Sequence, residues 1–465
     1  MSPRSVLLLN PPAPDLVIRD YYCSFPSKAK YYWPPQDLLG LSGLLAETCR
    51  LTVLDAVMTP RTQEDILALV DRENIDTVIF TTGSASLAGD MALAGFLASS
   101  RPALRLVASS GIFKFSPESV MERFPFLRAA LLDFTEPEIV DFVAGTPGNW
   151  NTIWERRDGR VLKPAGVFSK TFKLGVPRHE LFPIRLYSMP TARRHPLTVV
   201  TTSLGCPYRC RFCTAGAYGL KYRDLDDAMA EFRHIKELGI RELWFADPTL
   251  TVNGRFLDEM LRRMIEADFG FSFACNADIN SMTEDKIALL KKAGCHTVSI
   301  GLESGDDAIL KRYLKTLDTE KSRTIVRLFN KHRIRTLGYF IVGLPGEGRD
   351  EIRRTIDFAK SLRIDFASFA IATPDIGTDL RREALEKGWI RGDVDTFDST
   401  LHPVMETGEL PLSEIVRLRN RAELAFYLRP SYLFRKVFSL RSGRDLAILA
   451  GNGFHMLRRM LKKSA

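Results

Sequence analysis

Two long stretches of the chain alternate short apolar runs with segments of helical periodicity. The first stretch contains five runs that are rich in β-branched and other apolar residues, as buried parallel strands are. These runs are residues 5–10, 51–55, 77–82, 104–108 and 129–134. Helical periods lie between them, for example at 62–72 and 91–99. The pattern predicts an α/β fold with an open, doubly wound (Rossmann-like) parallel sheet over residues 1–145.

A second βα series begins at residue 197. Six apolar runs alternate with helical segments, such as 225–238, in which Met229, Phe232 and Ile235 recur at helical spacing. Since a complete barrel needs eight units, the series predicts a partial (β/α)6, TIM-like barrel over residues 196–390. Residues 146–195 show little periodicity and are interpreted as a linker, with a hairpin turn at Asp158-Gly159. Residues 391–465 are expected to form a helical extension.

Small and polar residues follow the strands of the first sheet. Ligands of open parallel sheets bind at the carboxyl ends of the strands, where small residues let a large cofactor approach the backbone. We therefore expect cofactor contacts at Asn10, Thr82, Gly83, Ser84, Ser109, Ser110, Gly111 and Glu136. Tight turns without a ligand are the alternative. The long aromatic insert at 12–35 forms either a roof over a binding site or a loop packed on the sheet edge.

The composition is that of an ordinary globular protein. Of 465 residues, 45% are hydrophobic and 26% charged, which excludes collagen-like and disordered chains and allows a sizeable core. No apolar run approaches the roughly 18 residues of a membrane span, and the first apolar run is too short for a secretory signal. We therefore expect a cytoplasmic protein.

The positive charge is concentrated at the C-terminus. The net charge is +9, and residues 429–465 hold nine Lys and Arg against one acid, Asp445. The rest of the chain is therefore almost neutral, which argues against a basic groove for nucleic acid. Apolar residues alternate with the basic ones, so the tail forms either a peripheral membrane contact, which would suit a lipid substrate, or a helical extension that closes the barrel. We favour the second.

Three of the seven cysteines lie within eight residues. Cys206, Cys210 and Cys213 have the spacing C-x3-C-x2-C at the end of the first barrel strand. Three thiolates on one short loop can hold three irons of a 4Fe–4S cluster and leave the fourth iron open for another ligand. A structural zinc site would need a fourth Cys or His at finger-like spacing, which the local sequence does not offer.

This cysteine loop, with Phe212 before the third cysteine, resembles the signature of the radical S-adenosylmethionine (radical SAM) superfamily. Further motifs of the family follow in order: WFADP from Trp244, GLESGDDAIL from Gly301, GYFIVGLPGE from Gly338 and ATPDIGTDL from Ala372. Together with the doubly wound first domain, the chain is similar to cobalamin-binding radical SAM enzymes of the methyltransferase-like subfamily. The resemblance implies a cobalamin-binding domain followed by a radical SAM barrel.

The resemblance also implies roles for individual residues. Cys206, Cys210 and Cys213 would ligate the cluster, whose open iron chelates the amino and carboxylate groups of SAM. Asp247 would bind the SAM amino group, as a carboxylate accepts from an ammonium. The remaining SAM contacts would be Glu303 and Ser304 to the ribose, and the backbone of Val342, Gly343, Leu344 and Pro345 near the adenine.

The sequence departs from the family pattern in two places. The third-strand motif, where relatives often carry an arginine, is Cys275-Asn276-Ala277-Asp278, so the contacts to the SAM carboxylate are unassigned. The first histidine of the chain is His179, so no histidine of the first domain can ligate cobalt. This resembles the methylating branch, in which the lower face of cobalt is often without a histidine.

The resemblance implies reductive cleavage of SAM with an electron from a donor such as flavodoxin or ferredoxin. We expect the enzyme to methylate an unactivated carbon or phosphorus of a small-molecule or lipid substrate. A cobalamin-dependent cyclase or rearrangement enzyme is one alternative, and a non-catalytic iron–sulfur redox protein is another. Enzymes that modify transfer RNA usually carry an extra RNA-binding module, and none is visible here. No general base can be assigned.

Overall fold

A seven-stranded sheet forms the centre of the N-terminal domain. The computed structural model describes residues 3–22, 24–27, 31–115, 117–391 and 403–439. The strands of this domain are β1 (Arg4–Asn10), β2 (Val17–Arg19), β3 (Ser24–Pro26), β4 (Cys49–Asp55), β5 (Thr77–Thr81), β6 (Arg105–Ser109), β7 (Ala129–Leu131), β8 (Ile153–Arg157) and β9 (Arg160–Leu162). The sheet order is β4-β1-β5-β6-β7-β8-β9, with β2 and β3 as a separate hairpin.

Helices cover both faces of this sheet, as its uninterrupted apolar strands require. They are α1 (Gln36–Leu45), α2 (Gln63–Arg72), α3 (Leu87–Ser100), α4 (Pro117–Arg123) and α5 (Glu138–Ala144). Along β1, Leu7 and Leu9 belong to one apolar core, whereas Val6 and Leu8 belong to another on the opposite face. The five parallel strands appear where the sequence predicts them.

The prediction that residues 146–195 are a linker is wrong for their first part. Strands β8 and β9 form a hairpin that joins the sheet edge through antiparallel pairing of β8 with β7. The predicted turn is present, with positive φ angles of 50° at Asp158 and 75° at Gly159. The hydrophobic pattern does not reveal this hairpin, because β9 is an edge strand with exposed residues and only the first half of β8 is buried.

The second domain is built on six parallel strands, as the sequence predicts. Its strands are β10 (Thr171–Phe172), β11 (Leu197–Val200), β12 (Ser203–Leu204), β13 (Lys221–Arg223), β14 (Glu242–Phe245), β15 (Ser272–Ala277), β16 (Cys295–Glu303), β17 (Arg335–Val342) and β18 (Phe366–Ile371). Three short strands, β10, β12 and β13, form a small separate sheet. The order β11-β14-β15-β16-β17-β18 is that of an open half-barrel.

Helices pack on the outside of the half-barrel. They are α6 (Leu225–Glu237), α7 (Gly254–Glu266), α8 (Glu284–Lys292), α9 (Asp307–Arg312), α10 (Thr319–Lys331), α11 (Arg349–Ser361), α12 (Asp379–Glu386), α13 (Leu412–Tyr427) and α14 (Pro430–Ser439). Ile415 and Phe426 of α13 are buried in the outer core with Phe369 of β18, so the chain after the barrel adds a helical layer.

One apolar core is shared by the two domains. It joins Leu8 and Val107 of the first sheet to Val199, Trp244 and Ala274 of the half-barrel. The aromatic insert contributes to this core through Tyr21 and Tyr32, so it packs on the sheet edge. Cys23 and the basic tail 440–465 lie outside the described residues. Within the described ranges, no helix is long and apolar enough to cross a membrane.

Candidate active site

The cysteine loop begins directly after the first strands of the half-barrel. Gly205 has a φ of 77°, and a Cβ at this position would overlap the carbonyl oxygen of Gly219. The amide of Cys206 donates to the carbonyl of Ala215 at 3.1 Å, and that of Cys213 donates to the carbonyl of Cys210 at 3.0 Å. The loop is therefore a closed turn whose shape requires a glycine at its start.

The three cysteines of the loop are free thiols. Cys206 and Cys210 are half-buried and Cys213 is exposed. Across the described residues, no three His, Cys, Asp or Glu side chains stand close enough together to hold one metal ion. Three thiols on one short loop are the donor type that a 4Fe–4S cluster takes, with one cysteine at each of three iron corners.

Asp247, after strand β14, holds the turn that leads into the cysteine loop. Its Oδ1 accepts from the amide of Thr202 at 2.8 Å and from the amide of Ser203, and its Oδ2 accepts from Thr202 Oγ1 at 2.9 Å. Complete burial raises the pKa of Asp247 to about 6, although these hydrogen bonds oppose the shift. The side chain thus positions the backbone between β11 and β12.

Glu303, at the end of β16, is paired with a lysine that the sequence analysis did not identify. Lys315 Nζ donates to Glu303 Oε1 at 2.9 Å. Burial disfavours the ammonium, but the negative charges of Glu303 and of a Cys210 thiolate nearby outweigh it and raise the pKa of Lys315. A Cβ on Gly301 would collide with both Glu303 and Lys315. The pair therefore lies close to the cysteine loop.

Ser304 does not share the position of Glu303, although the resemblance assigns both to the ribose. Its hydroxyl is fully buried, 3.1 Å from Thr355 Oγ1 of α11 and 3.3 Å from Glu347 Oε1. The backbone amide of Asp306 also donates to this hydroxyl at 3.3 Å. Ser304 therefore joins β16 to α11, and its hydroxyl is occupied by protein partners.

Glu347 supports the turn that is expected to lie near the adenine. Its Oε2 accepts from the amides of Gly343 at 2.9 Å and Leu344 at 3.0 Å. Burial raises the pKa of Glu347 to about 8, against the effect of these bonds. The carbonyl of Val342 accepts from Ala372 at 2.9 Å, and that of Pro345 accepts from Tyr313 Oη at 2.9 Å. The turn 342–345 is thus fixed from both sides.

The third-strand motif, residues 275–278, which differs from the family pattern, also holds the site together. Asn276 Nδ2 donates to the carbonyl of Asp247 at 2.9 Å. Tyr208, between the first two cysteines of the loop, donates to Asp278 Oδ2 at 2.8 Å. These two side chains therefore tie β15 to β14 and to the cysteine loop.

The C-terminal edge of the first sheet faces this loop. Tyr218, just beyond the cysteines, donates to the carbonyl of Gly111 at 2.8 Å. Lys221 Nζ lies 2.6 Å from Asp133 Oδ2 and 3.0 Å from Glu136 Oε1. The two edges at which the sequence predicts ligands are therefore adjacent.

The side chains expected to contact a cofactor at the first edge are engaged within the protein. Asn10 donates to Tyr32 Oη at 2.7 Å, and Ser109 donates to Asp37 Oδ2 at 2.7 Å. Thr82 donates to Asp90 Oδ2 at 2.8 Å. The other predicted contacts, which are likewise buried, are Gly83, Ser84, Ser110, Gly111 and Glu136.

The glycines at this edge are covered by the insert. A Cβ on Gly83 would overlap Ser24, and one on Gly111 would overlap the carbonyl of Tyr21 and the hydroxyl of Tyr218. The predicted positions at this edge therefore face groups of the insert and of the half-barrel.

The sequence of the half-barrel matches one family model. The model describes the radical SAM superfamily and matches residues 200–359. Residues 200–359 form a radical SAM domain. A 4Fe–4S cluster and SAM are the cofactors of this superfamily, as the sequence analysis expects.

Relatives and a solved structure cover the rest of the chain. An uncharacterized methyltransferase of Pyrococcus horikoshii is 28% identical over 420 residues, which are 87% of this chain and 90% of the relative. The bacteriochlorophyllide d C-12(1)-methyltransferase of Chlorobaculum tepidum is 29% identical over 244 residues, 50% of this chain and 53% of the relative. The radical SAM methyltransferase TsrM from Kitasatospora setae, solved with cobalamin and a [4Fe-4S] cluster, has a TM-score of 0.70 at 15% identity, covering 100% of both chains.

These comparisons confirm the predicted class of enzyme and the predicted architecture. The chain has the fold of TsrM throughout its length. Lys315, Glu347 and Tyr208 are among the residues of the site that sequence reasoning did not assign. The GLPGE motif pointed to Glu347, whereas no spacing distinguishes Lys315 from its neighbour Lys311.

Proposed function

We propose that this radical SAM enzyme reductively cleaves SAM and methylates a carbon or phosphorus of a small molecule, lipids included. The observation that carries the proposal is the loop of three free cysteines, Cys206, Cys210 and Cys213, at the carboxyl ends of a parallel half-barrel. We propose these three thiolates as the ligands of the cluster. Methyl transfer is inferred from relatives that are named as methyltransferases.

The cluster, when bound, supplies one electron that splits SAM into methionine and a 5′-deoxyadenosyl radical. An external one-electron donor such as flavodoxin or ferredoxin would return that electron. The protein contributes positioning and the exclusion of water, which the shared apolar core of the two domains favours.

Four features of the chain would hold SAM. Glu303 would accept from the ribose hydroxyls, and the fixed turn 342–345 would pack against the adenine. Asp247 and the backbone it orients would receive the amino group. Lys315 would pair with the carboxylate, because it supplies a cation beside the cysteine loop in a chain whose third-strand motif lacks the usual arginine.

Cobalamin dependence is part of the proposal because of the fold shared with TsrM. No side chain of the first edge is proposed as a cobalt ligand, since the predicted residues there have protein partners. The insert that covers Gly83 and Gly111 would have to move away from this edge for a corrin ring to bind.

The experiment is an anaerobic reconstitution with iron and sulfide, followed by SAM, flavodoxin or dithionite, and hydroxocobalamin. We expect 5′-deoxyadenosine and methionine from the native protein, and neither from a variant with all three loop cysteines replaced by Ala. Bound cobalamin with S-adenosylhomocysteine as a second product supports methyl transfer. SAM cleavage without bound cobalamin would overturn the methyl-transfer proposal, and a cluster without SAM cleavage would indicate a redox protein.

A further inference from the structure

One residue of the N-terminal insert contacts both ends of the cysteine loop. The hydroxyl of Tyr22 accepts a hydrogen bond from the amide of Gly205 at 2.9 Å. The carbonyl of Tyr22 accepts one from Thr214 Oγ1 at 3.3 Å. Gly205 directly precedes Cys206 and Thr214 directly follows Cys213, so the two bonds bracket the loop.

Tyr22 is itself held in place by its neighbours. Its ring meets Tyr21 edge-on at 5.6 Å and Tyr218 edge-on at 5.1 Å between centroids. Its amide donates to Asp20 Oδ1 at 3.1 Å, and the hydroxyl of Tyr21 donates to the carbonyl of Leu132 at the edge of the first sheet. The insert therefore connects the cysteine loop to the edge of the N-terminal sheet.

The contact at Gly205 matters because this residue has little freedom. Its φ of 77° and the closeness of the Gly219 carbonyl fix the backbone where the loop begins. Gly205 is buried, so its amide would lose its partner if the Tyr22 hydroxyl were removed. An unpartnered buried donor is costly, and the loop would shift to relieve it.

We propose that Tyr22 is a positioning residue for the iron–sulfur cluster. It fixes both ends of the cysteine loop against the N-terminal domain and so sets the geometry at which the three thiolates meet the cluster. The inference rests on the proposed ligation by the loop cysteines, and it adds to that site a residue from outside the barrel.

The test compares Tyr22→Phe with Tyr21→Phe in the full-length protein after anaerobic reconstitution. Both substitutions remove one hydroxyl from the same segment, but that of Tyr21 bonds to Leu132 and not to the loop. The readouts are the rate of iron release to a ferrous chelator and the electron paramagnetic resonance spectrum of the reduced cluster, with and without SAM. We expect Tyr22→Phe to release iron about three- to tenfold faster, with a changed spectrum, because one hydrogen bond is lost.

Thr214→Val, which removes the second contact, should accelerate iron release as well and provides a variant independent of the aromatic packing. Native rates and spectra in both Tyr22→Phe and Thr214→Val would overturn the inference. Equal acceleration by Tyr21→Phe would also overturn it, since packing rather than the bonds to the loop would then be responsible. A native protein that takes up no cluster would overturn the proposed function itself, which is a different result from a native cluster in Tyr22→Phe.

Discussion

The ammonium nitrogen of Lys315 lies 2.9 Å from Oε1 of Glu303, on the side of the half-barrel that carries the cysteine loop. Glu303 has a φ of 59°, and the pairing of β16 with β17 shifts register between Gly301 and Glu303. The irregular backbone turns the carboxylate toward Lys315. A carboxylate and a cation are therefore presented together next to the site proposed for SAM.

Lys315→Gln should weaken SAM binding by about tenfold or more. A hydrogen bond to a charged group contributes about 1.5–3 kcal/mol, and the substituted amide lacks the charge that would pair with the SAM carboxylate. The KM for SAM in 5′-deoxyadenosine formation is the measurement. Lys311→Gln, on the exposed side of α9, is the matched control and should leave the KM unchanged. An unchanged KM in Lys315→Gln would remove this lysine from the SAM site.

Gly205→Ala should abolish cluster incorporation. The new Cβ would overlap the Gly219 carbonyl, a backbone atom that cannot swing away. Gly159→Ala is a close control, because Gly159 has a similar φ of 75° but open space around it. Both variants carry a similar backbone strain, but only Gly205→Ala adds a clash, and it does so at the start of the cysteine loop. Iron content after reconstitution should fall below about a tenth of native in the first and stay native in the second. Equal iron content in the two would contradict this account.

The fold was largely readable from the sequence because its parallel strands are continuous apolar runs. Strands such as β1 and β5 are buried on both faces, so their pattern is unambiguous. The hairpin of β8 and β9 was missed because its outer strand is exposed and leaves no such run.

The candidate site was readable only where residue type and spacing carry the chemistry. Cys206, Cys210 and Cys213 stand close together in sequence, so their shared role is visible there. Lys315 and Tyr22 reach the site through tertiary structure, from 102 residues after Cys213 and 184 residues before Cys206. Ser304 lies in a recognisable motif, yet its hydroxyl bonds to α11, which the motif does not reveal.

Replacing Glu347 by Gln should flatten the pH dependence of stability. Burial raises the pKa of Glu347 to about 8, well above that of an unfolded glutamate near 4.3. Between those values the folded protein binds more protons than the unfolded chain, so this group makes stability fall as pH rises. Gln cannot titrate, so the melting temperature of the Glu347→Gln variant should fall less than that of the native protein between about pH 5 and pH 8.

The control for this experiment is Glu351→Gln in the first turn of α11. Hydrogen bonds with its own amide and that of Gly348 lower the pKa of Glu351. Its carboxylate therefore stays charged in both states across the same pH interval, and its removal should not change the slope. If the melting temperatures of the native protein and of Glu347→Gln change equally with pH, Glu347 keeps its charge when buried.

Lys221→Met should loosen the junction of the two domains. Lys221 Nζ lies 2.6 Å from Asp133 and 3.0 Å from Glu136, and its side chain is 4% exposed. The substitution leaves two buried carboxylates without their cation, which costs about 3–5 kcal/mol in the free energy of unfolding. Lys173→Met is the matched control, since its ammonium is 3.9 Å from Asp224 and its side chain is 71% exposed, and such surface pairs contribute about 0–1 kcal/mol. Urea unfolding should separate the two variants, and adding Asp133→Asn and Glu136→Gln to Lys221→Met should restore part of the loss. Equal midpoints for the two single variants would mean that the junction is held by its apolar core alone.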